Sequence, residues 1–146
     1  MSGVEAPVNG VPDRPVKVRP STGANYDPTI DVAFICTGNI CRSPMAEVLL
    51  RARLAAVAPE IVVGSAGLLF DDRPAERNAV RAMSRRGLDL SDHRAQTISL
   101  ELLADTSVII GMERTHVREV ANLDLALFAR SYTLPELVDA VDVMGP

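Results

Sequence analysis

The residues best suited to chemistry lie in one short segment, Cys36-Thr37-Gly38-Asn39-Ile40-Cys41-Arg42-Ser43-Pro44. An apolar, strand-like run precedes this segment and a helix start follows it. A loop between a strand and a helix turns several backbone N–H groups inward, and the helix start adds a partial positive charge. The segment therefore predicts a site that binds an anion such as phosphate, sulfate or another oxyanion.

Each side chain in this loop suits phosphate chemistry. Arg42 offers a planar fork for two phosphate oxygens, and Gly38 allows a tight turn. The positive surroundings favour the thiolate form of Cys36, which is the nucleophilic form. Ser43 can donate a hydrogen bond to that thiolate, and it can also cap the helix that begins at Pro44. The predicted reaction is attack on a phosphomonoester, formation of a phosphocysteine and its hydrolysis.

Composition narrows the class of protein. The 146 residues suit one compact domain, with 47% hydrophobic and 23% charged residues. The net charge of −4 and an aromatic content of 3% argue against a nucleic-acid partner. We expect no membrane partner, because no apolar run is long enough to span a bilayer and no secretory signal is visible. Two cysteines cannot form a disulfide framework, so we expect a cytoplasmic protein.

The chain divides into two parts. Residues 1–29 contain five of the ten prolines and no Leu, Ile or Phe, so we predict a disordered N-terminal tail. Residues 30–146 alternate between strand and helix patterns. Strands are predicted at 32–35, 61–63, 108–110 and 131–134, and helices at 43–56, 76–86, 99–104, 113–120 and from 135 onward. This alternation predicts an α/β fold, with a doubly wound, four-stranded parallel sheet and helices on both faces.

The loop and its surroundings resemble the low-molecular-weight protein-tyrosine-phosphatase family, whose bacterial members include arsenate-reductase-like relatives. The family's Cys-x5-Arg-Ser loop matches Cys36 to Ser43. The sequence at 38–47, Gly-Asn-Ile-Cys-Arg-Ser-Pro-Met-Ala-Glu, also matches the family motif. Similar segments follow at Ser65-Ala66-Gly67, Ser91-Asp92-His93-Arg94-Ala95 and Gly111-Met112-Glu113. The resemblance covers about residues 31–140 and implies a flavodoxin-like phosphatase fold.

The resemblance also implies residue roles. Cys36, Arg42 and Ser43 are the expected catalytic residues. The loop residues Thr37, Gly38, Asn39, Ile40 and Cys41 are expected to bind the phosphate. Asn39, Ser65 and His93 are expected to support the loop, and Cys41 to protect the nucleophile through a reversible disulfide. Phe70 is the aromatic candidate for a wall of the substrate cleft.

One family feature is missing from the pattern. The family's general acid is an Asp-Pro pair after the fourth strand, ahead of a last helix, and we expect the domain at 30–146 to lack both. Three explanations stay open: the chain is truncated, it lacks the acid by nature, or another carboxylate replaces it. Asp27-Pro28 in the tail is the sole Asp-Pro, and Asp139 and Asp142 lie near the carboxyl end.

Several of these residues also have a simpler, purely structural interpretation. Cys41 can be a packing residue with no redox role, and His93 is better suited to structural hydrogen bonding than to catalysis. His116 is predicted on a helix surface. No metal is expected, because the two histidines have no ligand spacing with the cysteines, and no cofactor is implied.

The leading functional prediction is a metal-independent phosphatase that acts on a phosphotyrosine protein or a small aryl phosphate. The first alternative is a thiol-dependent arsenate reductase, which would need an external thiol besides Cys41. The second is a non-catalytic phosphate- or phosphoprotein-binding module, or a redox sensor, that lacks the general acid.

Overall fold

The computed structural model describes residues 30–145, so the predicted N-terminal tail lies outside the described residues. Four strands form one parallel sheet in the order β2-β1-β3-β4. They are β1 (Val32–Ile35), β2 (Val63–Ala66), β3 (Val108–Gly111) and β4 (Ser131–Thr133). The predicted α/β class and four-stranded parallel sheet are confirmed.

Among residues 30–145, five α-helices connect and flank the strands. They are α1 (Arg42–Leu54), α2 (Arg77–Ser84), α3 (Leu100–Leu103), α4 (Arg114–Leu123) and α5 (Leu134–Met144). A 3-10 helix, Leu125–Arg130, joins α4 to β4 and has no counterpart in the sequence prediction. Local signals explain several helix starts: the side chains of Glu76, Ser99 and Thr133 each accept a backbone N–H of the first turn.

The second strand lies later in the chain than predicted. The apolar run at 61–63 suggested a strand that Gly64 would end, but β2 continues through Gly64 and Ser65 to Ala66. Gly64 is used inside the strand because the side chain of Ile30 fills the space beside it: a Cβ there would lie 2.6 Å from Ile30 Cδ1. The shift places Ser65 in a buried strand.

Successive side chains along β1 and β3 point into two apolar cores, one on each face of the sheet, as a doubly wound sheet requires. On one face Ala33, Ile35 and Ile109 pack with residues of α3 and α4. On the other face Phe34 and Ile110 pack against α1 and the Leu137 side chain of α5. The sheet is therefore covered on both faces, and its carboxyl edge carries the loop after β1.

Helix α5 has no buried residue, although Leu137 is partly buried. Its exposed apolar residues include Val138, Val141, Val143 and Met144. Within residues 30–145, no helix is long and apolar enough to cross a membrane.

We predict that the central core residue Ile109 is worth several kilocalories per mole of stability. Its side chain is fully buried in β3, so Ile109→Ala should lower the free energy of unfolding by about 2–5 kcal/mol. The matched control is Val143→Ala, which truncates an exposed apolar side chain on α5 and should change stability by less than about 0.5 kcal/mol. Urea unfolding measures both, and equal losses would contradict the assigned core.

Candidate active site

The loop after β1 is held by its carbonyl groups, which bond outward to three different segments. Thr37 O accepts the backbone N–H of Leu68 at 2.8 Å. Ile40 O accepts the backbone N–H of Glu76 at 2.7 Å. Between them, Asn39 O lies 2.6 Å from Nε2 of a buried histidine, His93. The loop's shape therefore depends on residues that are distant in sequence.

These anchors determine where the loop's N–H groups point. In a trans peptide the C=O and the following N–H point in opposite directions, and no residue described has a cis peptide bond. Because the carbonyls of Thr37, Asn39 and Ile40 are tied outward, the N–H groups of Gly38, Ile40 and Cys41 face the inner side of the loop. This arrangement forms a backbone nest suited to an oxyanion.

Cys36 follows β1 directly, at the bottom of this loop, and is buried. Its Sγ lies 3.2 Å from the backbone nitrogen of Asn39, which donates to it, and 2.9 Å from Ser43 Oγ. The predicted capping role of Ser43 is wrong. Helix α1 begins at Arg42, two residues before the predicted start at Pro44, with Cys41 as the N-cap, so Ser43 lies inside the first turn and faces the sulfur.

Asn39 is the residue that joins the loop to the sheet. It is fully buried and has a backbone φ of 54°, in the left-handed region that Asn tolerates better than most side chains. Its Nδ2 donates to Ser43 Oγ at 2.8 Å and to Ser65 Oγ at 2.9 Å. The structure thus brings together Asn39, Ser65 and His93, the residues to which the family resemblance assigns the support of the loop.

Gln96 completes this support and was missed by the sequence analysis. Its backbone N–H donates to Asn39 Oδ1 at 3.0 Å, and its side-chain amide donates to Ser65 O at 2.9 Å. Its position three residues after His93 was the available signal. Burial lowers the pKa of His93, and the neutral ring donates from Nε2 to the Asn39 carbonyl.

Arg42 lies at the mouth of the loop and forms an ion pair with Glu113. The Arg42 Nη1 and Glu113 Oε1 atoms are 2.5 Å apart, and both side chains are about half exposed. The hydrogen bond from Arg42 lowers the pKa of Glu113, so that carboxyl group stays ionised. The sequence predicts phosphate as the anionic partner of Arg42, and in the described structure its guanidinium is paired with Glu113.

The predicted surface position of His116 is wrong, since only 1% of the residue is exposed. A two-residue turn joins β3 to helix α4. His116 packs against Gly111, where an added Cβ would lie 3.0 Å from the His116 Cβ. The backbone N–H of Glu113 donates to Nδ1, so Nε2 carries the proton and donates to Thr37 Oγ1 at 3.0 Å. Burial, followed by the charge of Arg42, lowers the His116 pKa and favours this neutral form.

Cys41 is half-buried and is a free thiol, as is Cys36. Its side chain packs against the apolar cluster between α1 and α2 that includes Val48 and Met83. Burial raises the pKa of the Cys41 thiol, and the charges of Glu76 and Cys36 raise it further. The packing contact agrees with the simpler interpretation of Cys41 and is compatible with the redox one.

Phe70, the candidate for a wall of the substrate cleft, lies beside the loop next to Gly38. A Cβ at Gly38 would lie 3.3 Å from Phe70 Cε2, so the absence of a side chain at 38 lets the ring approach. The guanidinium of Arg73 stacks over the Phe70 ring at 3.7 Å from its centroid. The loop therefore has an aromatic rim with a cation on it.

A buried acidic residue behind the site also escaped the sequence analysis. Glu47 lies in α1, four residues after Ser43 and so on the same helix face. Its Oε1 accepts the hydroxyl of Ser65 at 2.8 Å, and its Oε2 is paired with Arg51 at 3.0 Å. The sequence did contain a signal for Glu47, because it is the last residue of the family motif at 38–47. Residues 30–145 contain no cluster of three or more His, Cys, Asp or Glu suited to a metal ion.

A parallel α/β sheet with a buried cysteine, an anion nest and an arginine at the carboxyl end of its first strand defines a cysteine-dependent phosphatase. The family model described as low molecular weight phosphotyrosine protein phosphatase matches residues 31–145. The chain therefore belongs to the low-molecular-weight phosphotyrosine protein phosphatase family.

Individual relatives agree with this assignment. The chain is 34% identical over 116 residues to a probable low molecular weight protein-tyrosine-phosphatase, EpsP, of Ralstonia nicotianae, covering 79% of this chain and 77% of that protein. It is 36% identical over 116 residues to the phosphatase Etp of Escherichia coli K12, with 79% and 76% coverage.

Solved structures give the same result. A low molecular weight protein tyrosine phosphatase from T. tengcongensis has a TM-score of 0.70 and 33% identity, covering 75% of this chain and 76% of that one. The phosphatase Wzb from Escherichia coli K30, solved with sulphate, has a TM-score of 0.64 and 32% identity, with 72% coverage of each chain. The arginine phosphatase YwlE, solved as a cysteine-to-serine variant with a phosphorylated active-site serine, has a TM-score of 0.71 and 28% identity, covering 77% and 74%.

We predict that Gly67 is required for the shape of the loop. A Cβ at Gly67 would lie 2.8 Å from the backbone nitrogen of Asn39 and 3.0 Å from the carbonyl carbon of Gly38. Gly67→Ala should therefore cost about 1–3 kcal/mol of stability and weaken phosphate binding, because loop backbone must move.

The matched control is Gly64→Ala, whose Cβ would meet the far end of the Ile30 side chain. This variant should lose stability but keep its affinity for phosphate, measured by calorimetric titration. Equal losses of affinity in the two variants would contradict the assigned contact.

Proposed function

We propose that this chain hydrolyses phosphotyrosine-type phosphomonoesters through a phosphocysteine at Cys36. The observation that carries the proposal is the position of the Cys36 sulfur, beneath the inward N–H groups and within hydrogen-bond distance of Asn39 N and Ser43 Oγ. Both groups can stabilise the thiolate, which is the form that attacks phosphorus. Family membership supports the reaction class.

The proposed reaction has two displacement steps. In the first, the Cys36 thiolate attacks phosphorus, an S–P bond forms and the P–O bond to the leaving group breaks. In the second, water attacks phosphorus, inorganic phosphate forms and the thiolate leaves, aided by the hydrogen bond to Ser43. The backbone nest and Arg42 would hold the equatorial oxygens during both steps.

Arg42 has to change partner to take part. In the described structure its guanidinium is paired with Glu113 at the mouth of the loop. An incoming phosphate dianion carries more charge than one carboxylate and matches the guanidinium fork with two oxygens. We propose that substrate draws Arg42 from Glu113 to the phosphate.

The relatives support the two main parts of this proposal. Sulphate is bound by Wzb, which agrees with an oxyanion site in the equivalent loop. In the YwlE variant the active-site serine that replaces cysteine is phosphorylated, which supports a covalent phosphoenzyme. Because YwlE is an arginine phosphatase, phosphoarginine is the competing substrate class to assay beside phosphotyrosine.

We further propose a cytoplasmic, bacterial protein. A nucleophilic thiolate with a second free thiol five residues away needs a reducing compartment, and the named relatives of known source are bacterial. The site roles of Thr37, Gly38, Ile40 and Cys41 in phosphate binding, and of Cys41 in redox protection, belong to the same proposal.

We predict that Cys36→Ser abolishes turnover of p-nitrophenyl phosphate and retains binding of vanadate. Serine lacks a stable anionic form at neutral pH, whereas the nest and Arg42 are unchanged. Steady-state kinetics and vanadate titration measure the two effects. Retention of wild-type activity would exclude Cys36 as nucleophile, and thiol-dependent production of arsenite by the unmodified chain would favour arsenate reduction.

We assign no general acid among residues 30–145. This part of the chain has no Asp-Pro pair, Asp139 and Asp142 are exposed on α5, and Arg42 holds Glu113 ionised until substrate binds. A carboxyl group that is ionised when substrate binds brings no proton for the leaving oxygen.

We therefore predict a steep dependence on the leaving group. Phenyl phosphate should be hydrolysed with a kcat/KM about 10²–10⁴-fold below that of p-nitrophenyl phosphate, since a general acid is worth about that factor for a poor leaving group. Asp139→Asn and Asp142→Asn should leave the ratio unchanged. A nearly flat dependence that either substitution makes steep would identify that residue as the acid.

A further inference from the structure

We propose that Glu47 is a positioning residue for the Cys36 thiolate. Through Ser65 and Asn39 it determines the direction of the Ser43 hydroxyl proton, so that Ser43 donates a hydrogen bond to the sulfur. These four side chains form one buried chain of hydrogen bonds that ends at the sulfur. Glu47 itself is 4% exposed, and its Oε1 lies at the opposite end of this network from the sulfur. The inference deepens the proposed function, since it rests on Cys36 being the nucleophile.

The direction of each hydrogen bond follows from the chemistry of its members. An ionised carboxylate can only accept, so the Ser65 hydroxyl must donate its one proton to Glu47 Oε1. The Ser65 oxygen then offers lone pairs to Asn39, whose Nδ2 lies 2.9 Å away and can only donate. Glu47 thereby favours the amide orientation in which nitrogen faces Ser65.

The same amide orientation determines the proton of Ser43. The second hydrogen of Asn39 Nδ2 is donated to Ser43 Oγ at 2.8 Å, so that oxygen acts as an acceptor on this side. The Ser43 proton is then free to point at the Cys36 sulfur 2.9 Å away. The Glu47 carboxylate, an acceptor at one end of the network, thus makes Ser43 a donor to the sulfur at the other end.

The flipped Asn39 amide is the alternative that Glu47 disfavours. With Oδ1 facing the serines, the Ser43 proton would be drawn to Asn39, and the thiolate would lose the Ser43 donor while keeping the backbone N–H of Asn39. Two restraints oppose that flip. The Gln96 backbone N–H donates to Asn39 Oδ1 and so requires the amide oxygen on its side. The Glu47 carboxylate accepts the Ser65 proton, so that Ser65 has no proton to donate to a flipped Asn39. Removing Glu47 leaves one restraint of the two.

Arg51 fixes the orientation of the Glu47 carboxylate. Its guanidinium donates to Glu47 Oε2 and, at 2.6 Å, to the carbonyl of Val63 in β2. In Glu47→Gln, Arg51 still requires an acceptor, so the amide oxygen would turn to Arg51 and the amide NH₂ to Ser65. The Ser65 proton would lose its acceptor, and the restraint on Asn39 would be lost.

The sign of the effect separates this role from a simple charge effect. Removal of a nearby negative charge favours formation of another, so a Coulombic role for Glu47 predicts more Cys36 thiolate in Glu47→Gln. The positioning role predicts less, because the Ser43 donor is lost for part of the time. A merely structural role predicts no change in a folded variant.

The test is an NMR titration of the two cysteines in the full chain without substrate, using ¹³Cβ-labelled cysteine. In Glu47→Gln we expect the Cys36 thiolate fraction at a fixed pH on the rising part of the curve to fall by about two- to tenfold. Glu119→Gln, the same exchange at an exposed site on α4, should leave it unchanged. An unchanged or larger thiolate fraction in Glu47→Gln would overturn the proposal.

A double-mutant cycle shows whether the effect passes through Ser65. Once Ser65→Ala has removed the link, adding Glu47→Gln should cause no further fall. If the Glu47→Gln effect persists at full size in the Ser65→Ala background, the proposed path is wrong.

A second variant covers the case in which Glu47→Gln does not fold. Glu47→Met combined with Arg51→Met exchanges the buried ion pair for apolar side chains without changing the net charge, an exchange that is often neutral for stability. It should lower the thiolate fraction as well, and no change would count against the proposal. Because the titration needs no turnover, a failure of the proposed hydrolysis remains distinguishable from a failure of this role.

Discussion

The site depends on one buried asparagine held in a left-handed backbone conformation. A non-glycine residue with a φ of 54° costs free energy and persists only where its surroundings compensate. Here the Asn39 side chain bonds to Ser43, Ser65 and the Gln96 backbone, and its carbonyl accepts from His93. Without these partners the loop would lose the conformation that turns its N–H groups toward one point and places Cys36 beneath them.

The parallel sheet makes this set of partners possible. Strands β1 and β2 are neighbours in register, with Phe34 beside Ser65, so the loop after β1 and the segment after β2 meet at one edge. The Gly67 N–H then bonds to Gln96 O, which ties the segment containing His93 and Gln96 to the same edge. On the other side β3 lies against β1 and ends at Gly111, which brings Glu113 and His116 to the mouth of the loop.

Much of the fold was predictable from the sequence, because short apolar runs and helix-start residues are local signals. Strands β1 and β3 and the cap of Ser99 follow from such signals. Strand β2 was misplaced because Gly64 was taken as a breaker, whereas the packing of Ile30 makes glycine suitable inside the strand. The loop residues were found by their spacing and resemblance, but the roles of Glu47, Gln96 and His116 depend on contacts across 18 to 79 positions of the sequence. No periodic pattern records such contacts.

The central claim is that phosphate passes through a covalent bond to the Cys36 sulfur. The most direct measurement is rapid chemical quenching of the chain during turnover of p-nitrophenyl phosphate, followed by mass spectrometry that locates any phosphoryl group. The account predicts one phosphoryl group, attached to Cys36, formed and consumed at rates that match turnover. Hydrolysis without a phosphorylated intermediate, or with phosphate on another residue, would contradict it.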